Sequence, residues 1–334
     1  MKVILRTKGE YRARIAELRS NGISVITPCF VPSMSSSKDQ FYKSRFVLLW
    51  KKIPTPISMI SAFDAGSILG VDAVKSSCSS DRILYLDSGC YEHEAATNTD
   101  WTQDAYLGVA NALKPEIVVS PDKPADSDLN DSVTSQIGSL QSFVREFGSG
   151  ATVAFLLRQN GSWEAEKTYH RVISELVKED SIPSVIGVAD SELGVTAMDR
   201  ITSVRLLRTE MDRNGLEKKL IHVFGCSEPI MFILYSAAGA DIFDATGWYR
   251  YAYRSDRCSR GEASALPLLN CRCRFCIDAK WRGITYPEYD QRLALHNLSA
   301  IESYFAQLRA HIIDGSLSAW ISQMGMPSVQ GVLL

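Results

Sequence analysis

The chain has 334 residues, 46% hydrophobic content and a formal net charge of −2, which allows one large domain or two ordinary ones with a full core. The near-neutral balance excludes a global polyanion-binding surface, so any nucleic-acid contact has to be local. No apolar run has the length of a membrane span, the N-terminus lacks a secretory h-region, and eight cysteines without secretory features fit a reducing, cytoplasmic setting.

Residues 3–16 and 22–31 read as short strands leading into a first barrel strand, and 32–40 as a polar loop. Apolar runs of strand length then recur at Pro56–Ser61, Ile83–Leu86, Glu116–Ser120, Ala151–Leu157, Ser184–Ala189, Leu220–Gly225 and Ala240–Phe243. They are continuous rather than alternating, which is the pattern of parallel strands buried on both faces. Helix-length segments lie between them, among them Leu129–Phe147, Glu164–Lys178, Met198–Asn214 and Glu228–Ala238. About eight such units over roughly 250 residues predict an α/β fold of the (β/α)8 barrel type. A doubly wound sheet is the alternative, but no G-x-G-x-x-G follows the early strands and there is no P-loop. Past residue 285 the pattern is helical: Ile301, Phe305, Leu308 and Ile312 share one face, Asp314-Gly315 is a stop, and a short helix over Leu317–Ser322 follows. The expected division is a barrel with short N-terminal strands over 1–256, a zinc-binding subdomain over 257–300, and closing helices over 301–334.

Reactive side chains of parallel barrels come from the C-terminal ends of the strands. Those ends carry Asp87, Asp122, Gln159, Asp190 and Asp244, four carboxylates and a carboxamide expected to face one mouth. Each aspartate could instead be a helix N-cap, since βα loops favour Asp. For Asp87 and Asp244 the chemical role is the better reading, because each directly follows an apolar strand and precedes a glycine-containing turn. Paired carboxylates suit displacement at a sugar carbon, one as nucleophile and the other handling protons. A carboxamide and a further carboxylate suit the hydrogen-bonding edge of a purine.

Cys271-Arg272-Cys273-Arg274-Phe275-Cys276, followed nineteen residues later by His296, reads as a closed Cys3His site for structural Zn2+. The alternative is an ordinary helical His296, with Cys258 or water completing the site. Cys29, Cys78, Cys90 and Cys226 read as plain small side chains, Cys90 near the mouth. Between Arg250 and Arg282 eight basic residues face only Asp256, Glu262 and Asp278, with Tyr249, Tyr251, Tyr253, Phe275 and Trp281 interleaved. That pattern fits a surface that tracks phosphates and stacks bases, or else a solvated face over core aromatics.

Six motifs, in order, resemble the tRNA-guanine transglycosylase superfamily over nearly the whole chain. They are Asp87-Ser88-Gly89-Cys90, Ser120-Pro121-Asp122, Arg158-Gln159-Asn160-Gly161-Ser162, Ile186-Gly187-Val188, Ala240–Asp244, and the Cys271, Cys273, Cys276, His296 set. The resemblance implies a (β/α)8 barrel with an inserted zinc subdomain and a pentosyltransferase that exchanges guanine in a polynucleotide for a 7-deazaguanine such as preQ0 or preQ1. It implies Asp244 as nucleophile on C1′, Asp87 as general acid/base, and Asp122, Gln159, Gly187 and Ser88 around the base. Arg250, Arg254 and Arg274 would face the nucleic-acid backbone. Departures are the short Cys276–His296 gap, Cys90 and Val188 where the family has glycines, and Ala245–Tyr253 in place of the bacterial tRNA-contacting segment. With a chain ending near 334, these features resemble the compact paralogues that act on DNA. DNA is therefore the expected substrate, tRNA the alternative, and a non-catalytic nucleic-acid-binding subunit the third reading. A homodimer or a helper protein is compatible with all three.

Overall fold

The computed structural model describes the chain except residues 40, 79, 97–100, 123–124, 126, 148–149, 162, 255–258, 263–270 and 278–287; the side chains of 38, 95, 259–262 and 327 are also outside the description. The chain opens with an antiparallel sheet of β1 (Lys2–Lys8), β2 (Arg14–Ser20) and β3 (Ile23–Thr27). Eight parallel strands follow: β4 (Cys29–Met34), β5 (Ile57–Ser61), β6 (Ile83–Asp87), β7 (Ile117–Val119), β8 (Thr152–Leu157), β9 (Val185–Ala189), β10 (Leu220–Phe224) and β11 (Ile242–Ala245). They close into a barrel in which β11 pairs with β4. A two-stranded antiparallel ribbon, β12 (Tyr251–Arg254) with β13 (Ser259–Glu262), comes after β11.

The helices are α1 (Tyr42–Leu49), α2 (Val71–Ser77), α3 (Cys90–Ala95), α4 (Gln103–Leu113), α5 (Leu129–Phe147), α6 (Ala165–Lys178), α7 (Ala197–Arg213), α8 (Pro229–Ala238), α9 (Glu288–Asp314), α10 (Leu317–Gln323) and α11 (Gln330–Leu333). Every barrel strand is thus followed by at least one helix, as the continuous apolar runs predict. No helix among the described residues is long and apolar enough to cross a membrane.

Two apolar clusters account for the runs being apolar on both faces. One lines the barrel interior with Val31, Met59, Tyr85, Val119, Leu156, Val185, Leu220 and Ile242. The other, between strands and helices, takes the alternate residues Phe30, Ile60, Leu86, Val118, Phe155, Ile186, Val223 and Phe243. Ala16, Leu18 and Val25 of the N-terminal sheet join the interior cluster and plug the lower end. Asp241, fully buried just before β11, holds that end together. It accepts bonds from Arg14 Nε (2.7 Å) and Nη2 (2.6 Å), Arg208 Nη2 (2.9 Å) and the Ile221 amide (2.8 Å).

One expectation changes. Residues 32–34 are strand rather than loop: Ser33 and Met34 pair with Met59 and Ile60, and Pro32 stands opposite Ala245. They form the buried mouth end of β4, with Ser33 lining the cavity there and Met34 packed into the core between strands and helices. The short strands expected over residues 3–16 are β1 and the start of β2, paired as a bulged antiparallel hairpin. Helices α1, α2 and α4 fill further intervals of the expected strand–helix alternation and α11 falls within the expected closing helices; α4 is held by Tyr106 stacked on Phe143 of α5 at 5.3 Å.

Candidate active site and metal centre

Strand parity delivers the carboxylates. Ile83 and Tyr85 face the barrel interior, so Asp87 does too, one pleat higher; Ile242 does the same for Asp244. Both line a cavity of about 440 Å³ at the mouth, together with Ser33, Ser61, Ser88, Tyr91, Glu92, Asp122, Arg158, Glu192, Phe224, Arg250 and Tyr251.

Asp244 is 5% exposed. Its Oδ1 accepts the Gly225 amide at 3.1 Å and lies 3.2 Å from His222 Nε2, out of line for a good hydrogen bond. His222 is fully buried, meets the Tyr85 hydroxyl at 3.1 Å through Nδ1, and stacks on Phe224. Burial lowers its pKa against the opposing pull of Asp244, which keeps the ring neutral at neutral pH. Sequence reading passed over His222 because it sits inside an apolar run. Parity along β10 was the signal that placed it inside.

Asp87 is held well above the usual carboxylate range, first by burial and then by the fields of Glu92, Asp122 and Asp244. Both causes favour the protonated form of its carboxyl. The following turn needs Gly89: its φ is +83°, and a Cβ there would come within 2.6 Å of the Phe63 backbone. Glu92, on the next helix, is 5% exposed, bonded to Ser35, and pushed up to about 7 by burial and Asp64.

Asp122 accepts the Ser88 hydroxyl at 2.7 Å and Arg158 Nη1 at 2.8 Å. Gln159 is not in the cavity. Arg158 takes the inward position at the end of β8, and the Gln159 side chain turns out toward the buried Tyr169 hydroxyl of α6. Gly187 is covered: a Cβ there would lie 2.4 Å from Phe224 Cε2, so the glycine is what lets that ring lie against β9. Asp190 also stays out, bonded to Tyr235 at 2.6 Å and to Arg200 at 3.1 Å. The structure thus brings together Asp87, Ser88, Asp122, Asp244 and Arg250 of the expected set and adds Glu92, Arg158, Glu192, His222 and Phe224.

Of the other arginines, Arg254 ends β12, whereas Arg274 lies by a separate cleft with Pro54, Glu302 and Arg309, near the start of β5 and away from the mouth. Cys258, Asp256, Arg257, Asp278, Lys280, Trp281 and Arg282 lie outside the described residues, as do the side chains of Arg260 and Glu262. Cys29 and Cys226 are buried and Cys90 is half-buried; burial raises all three thiols, Cys29 to about 12. They are poor nucleophiles.

The metal motif closes in space. The ligand atoms of Cys271, Cys273, Cys276 and His296 all lie within 4.8 Å of one another. The three sulfurs stand 3.3, 3.5 and 3.3 Å from His296 Nδ1. Bonds of about 2.3 Å to sulfur and 2.0 Å to nitrogen give a tetrahedral S···N edge of roughly 3.5 Å, so this group can hold a metal ion. The other ring nitrogen, Nε2, donates to the Tyr253 carbonyl at 2.8 Å, which leaves the Nδ1 lone pair facing the sulfurs. Asn297, the next residue, accepts from the Tyr253 amide (2.8 Å) and donates to the Trp248 and Tyr251 carbonyls (2.8 and 2.6 Å). Trp248 Nε1 in turn donates to the Ser33 carbonyl at 2.8 Å. The metal group is thereby tied to the segment that leaves Asp244 and places Arg250 at the mouth.

Similarity to known proteins agrees with this geometry. The chain is 25% identical to the tRNA-guanine(15) transglycosylase of Pyrococcus furiosus over 256 residues, 71% of this chain and 41% of that protein. The protein of the same name from Thermococcus kodakarensis is 24% identical over 332 residues, 91% of this chain and 53% of its own. That of Methanocaldococcus jannaschii is 32% identical over 109 residues, 30% of this chain and 16% of its own. The chain thus spans about half, or less, of the length of these relatives. The family described as Queuine tRNA-ribosyltransferase matches residues 91–326, which includes Asp122, Asp244 and all four metal-site residues, and the chain belongs to that family.

Proposed function

We propose that this protein is a pentosyltransferase that exchanges guanine in a polynucleotide for a 7-deazaguanine base of the preQ0 kind. The observation that carries the reading is the pairing, in one cavity, of Asp87, whose carboxyl burial and neighbouring carboxylates hold well above its usual range, with Asp244, fixed by the Gly225 amide. An Asp244 oxygen attacks C1′ as the C1′–N9 bond breaks, its electron pair leaving with guanine, which takes the proton from Asp87. The product is a sugar ester of Asp244 and an ionised Asp87. The incoming base then attacks C1′ through N9, Asp87 takes back the N9 proton, and the ester bond breaks to restore the Asp244 carboxylate. Two inversions retain the configuration at C1′. The target nucleoside has to leave its stack to enter a closed mouth of this size.

The Cys3His group suits Zn2+ by its soft donor set and tetrahedral spacing. Four protein ligands leave no position for a water, so its contribution is to hold α9 and the Trp248–Tyr253 segment together. DNA is the polynucleotide we favour. The segment after Asp244 turns Trp248 and Tyr249 into the core, and of its part that lines the mouth (Ala245, Thr246, Gly247, Arg250 and Tyr251) Arg250 alone is charged, unlike the basic tRNA-contacting segment of the bacterial type. The names of the relatives support tRNA as the second reading. Labelled guanine offered with duplex DNA, single-stranded DNA or bulk tRNA separates the two. Label in DNA alone is the expected result, label in tRNA alone establishes the second reading, and label in none refutes the proposed activity.

A further inference from the structure

Arg158 is the cation of the mouth that the exchange chemistry above leaves without a task. It continues the inward row of Ala154 and Leu156 on β8. Its Nε donates to Glu192 Oε1 at 2.8 Å and its Nη1 to Asp122 Oδ2 at 2.8 Å. Glu192 is itself fixed, since its Oε2 accepts the Gln159 amide at 2.7 Å. Two carboxylates therefore hold the guanidinium plane from two edges. The side chain is a quarter exposed and lines the cavity, with Nη2 making no hydrogen bond among the described residues. Arginine offers only donors, so whatever meets Nη2 has to be an acceptor.

Asp122 is the complementary half. Its Oδ1 accepts from Ser88 and its Oδ2 from Arg158. A carboxylate has about four lone-pair sites, so two remain for donors on a ligand. The pocket thus presents a free acceptor pair beside a free donor. A 2-amino-6-oxopurine carries the opposite set along one edge: N1–H and the 2-amino group as donors, O6 as acceptor.

We infer that Arg158, oriented by Glu192, reads the 6-oxo group of the base while Asp122 reads N1–H and the 2-amino group. The inference rests on the base-exchange reading and deepens it: the site takes 6-oxopurines and their 7-deaza analogues. A 6-amino base is rejected because it sets donor against donor beside a half-buried cation. The selectivity thus comes from a clamped guanidinium rather than from the neighbouring carboxamide, Gln159, which faces away.

The experiment measures binding of free bases to the intact protein, so it does not depend on turnover. 2-Aminopurine, which lacks O6 and with it the N1 proton and is fluorescent, is titrated directly; guanine and hypoxanthine, which lacks the 2-amino group, compete against it. The wild type is expected to prefer guanine to 2-aminopurine by roughly tenfold or more, the scale of one hydrogen bond to a charged group. In Arg158→Met that preference falls severalfold, by the share owed to O6, while the share owed to N1–H and Asp122 and the preference for guanine over hypoxanthine survive. A merely structural ion pair would weaken all three ligands together and leave the ratios alone. An unchanged guanine/2-aminopurine ratio in Arg158→Met overturns the inference. Should that variant fail to fold, Glu192→Gln decides: it releases one edge of the guanidinium and is expected to reduce the ratio severalfold, and an unchanged ratio overturns the inference. If the wild type binds none of the three bases, the base-exchange reading itself fails, an outcome distinct from failure of the Arg158 assignment alone.

Discussion

Replacing Glu92 by Gln should make the protein more stable at neutral and alkaline pH, although it removes a buried, hydrogen-bonded side chain. Glu92 is 5% exposed; its Oε1 accepts the Ser35 hydroxyl, and its Oε2 has no aligned partner among the described residues. Burial, then the nearby Asp64, push its carboxyl from 4.5 up to about 7. The folded value lies above the unfolded one, so the fold holds the proton more tightly. Stability is therefore full below about pH 4.5 and falls as the pH rises toward about 7. At about 1.4 kcal/mol per pH unit the loss has a ceiling of roughly 3 kcal/mol, and sharing of the proton with neighbouring carboxyls reduces it to about 1–3 kcal/mol. Gln keeps an acceptor for Ser35 and removes the titration. Urea unfolding from pH 4.5 to 8 checks this: the wild type should lose that amount relative to Glu92→Gln, and the variant should be the more stable protein at pH 8. Parallel pH curves would refute the reasoning. Glu92 is also the largest charge acting on Asp87 after burial. The same variant should therefore lower the Asp87 pKa and move the alkaline limb of the exchange pH–rate profile to lower pH.

At the lower end of the barrel, Asp241→Asn leaves Arg14 and Arg208 buried without their shared anion. The expected loss is about 3–5 kcal/mol, or roughly 4–7 °C in melting temperature for a chain of this length, read by calorimetry; a loss under about 1 kcal/mol would contradict the clamp. Cys273→Ser should lose metal and stability together, with bound zinc falling from one per chain toward zero and melting dropping by about 5 °C or more. Full metal content with unchanged melting in that variant would mean that Cys273 is not a ligand.

The barrel was legible because parallel strands buried on both faces leave continuous apolar runs, and the helices between them are long and amphipathic. The metal group was legible because three of its four ligands fall within six residues, and His296 follows on the next helix described. Asp87 and Asp244 could be found from their strand ends. What escaped depends on parity that an apolar run conceals. Within Phe155–Gln159 either alternation is apolar, so nothing local says that Arg158 turns in and Gln159 out. His222 hides among apolar neighbours for the same reason. Asp190 was drawn toward the mouth by its strand-end position, but Tyr235 on α8 and Arg200 on α7 claim it, and those partners are 45 and 10 residues away in the chain. Gly187 drew attention as a ligand-facing backbone, whereas its missing side chain serves the Phe224 ring.

The central claim is that the Asp244 carboxylate becomes bonded to a sugar carbon. Incubating the protein with its polynucleotide in the absence of an incoming base, quenching in acid and mapping the cross-linked peptide by mass spectrometry tests it directly. The account predicts one adduct, on Asp244, that disappears in Asp244→Asn and is released when a 7-deazaguanine base is added before the quench. An adduct on any other residue, or one that persists in Asp244→Asn, would contradict it.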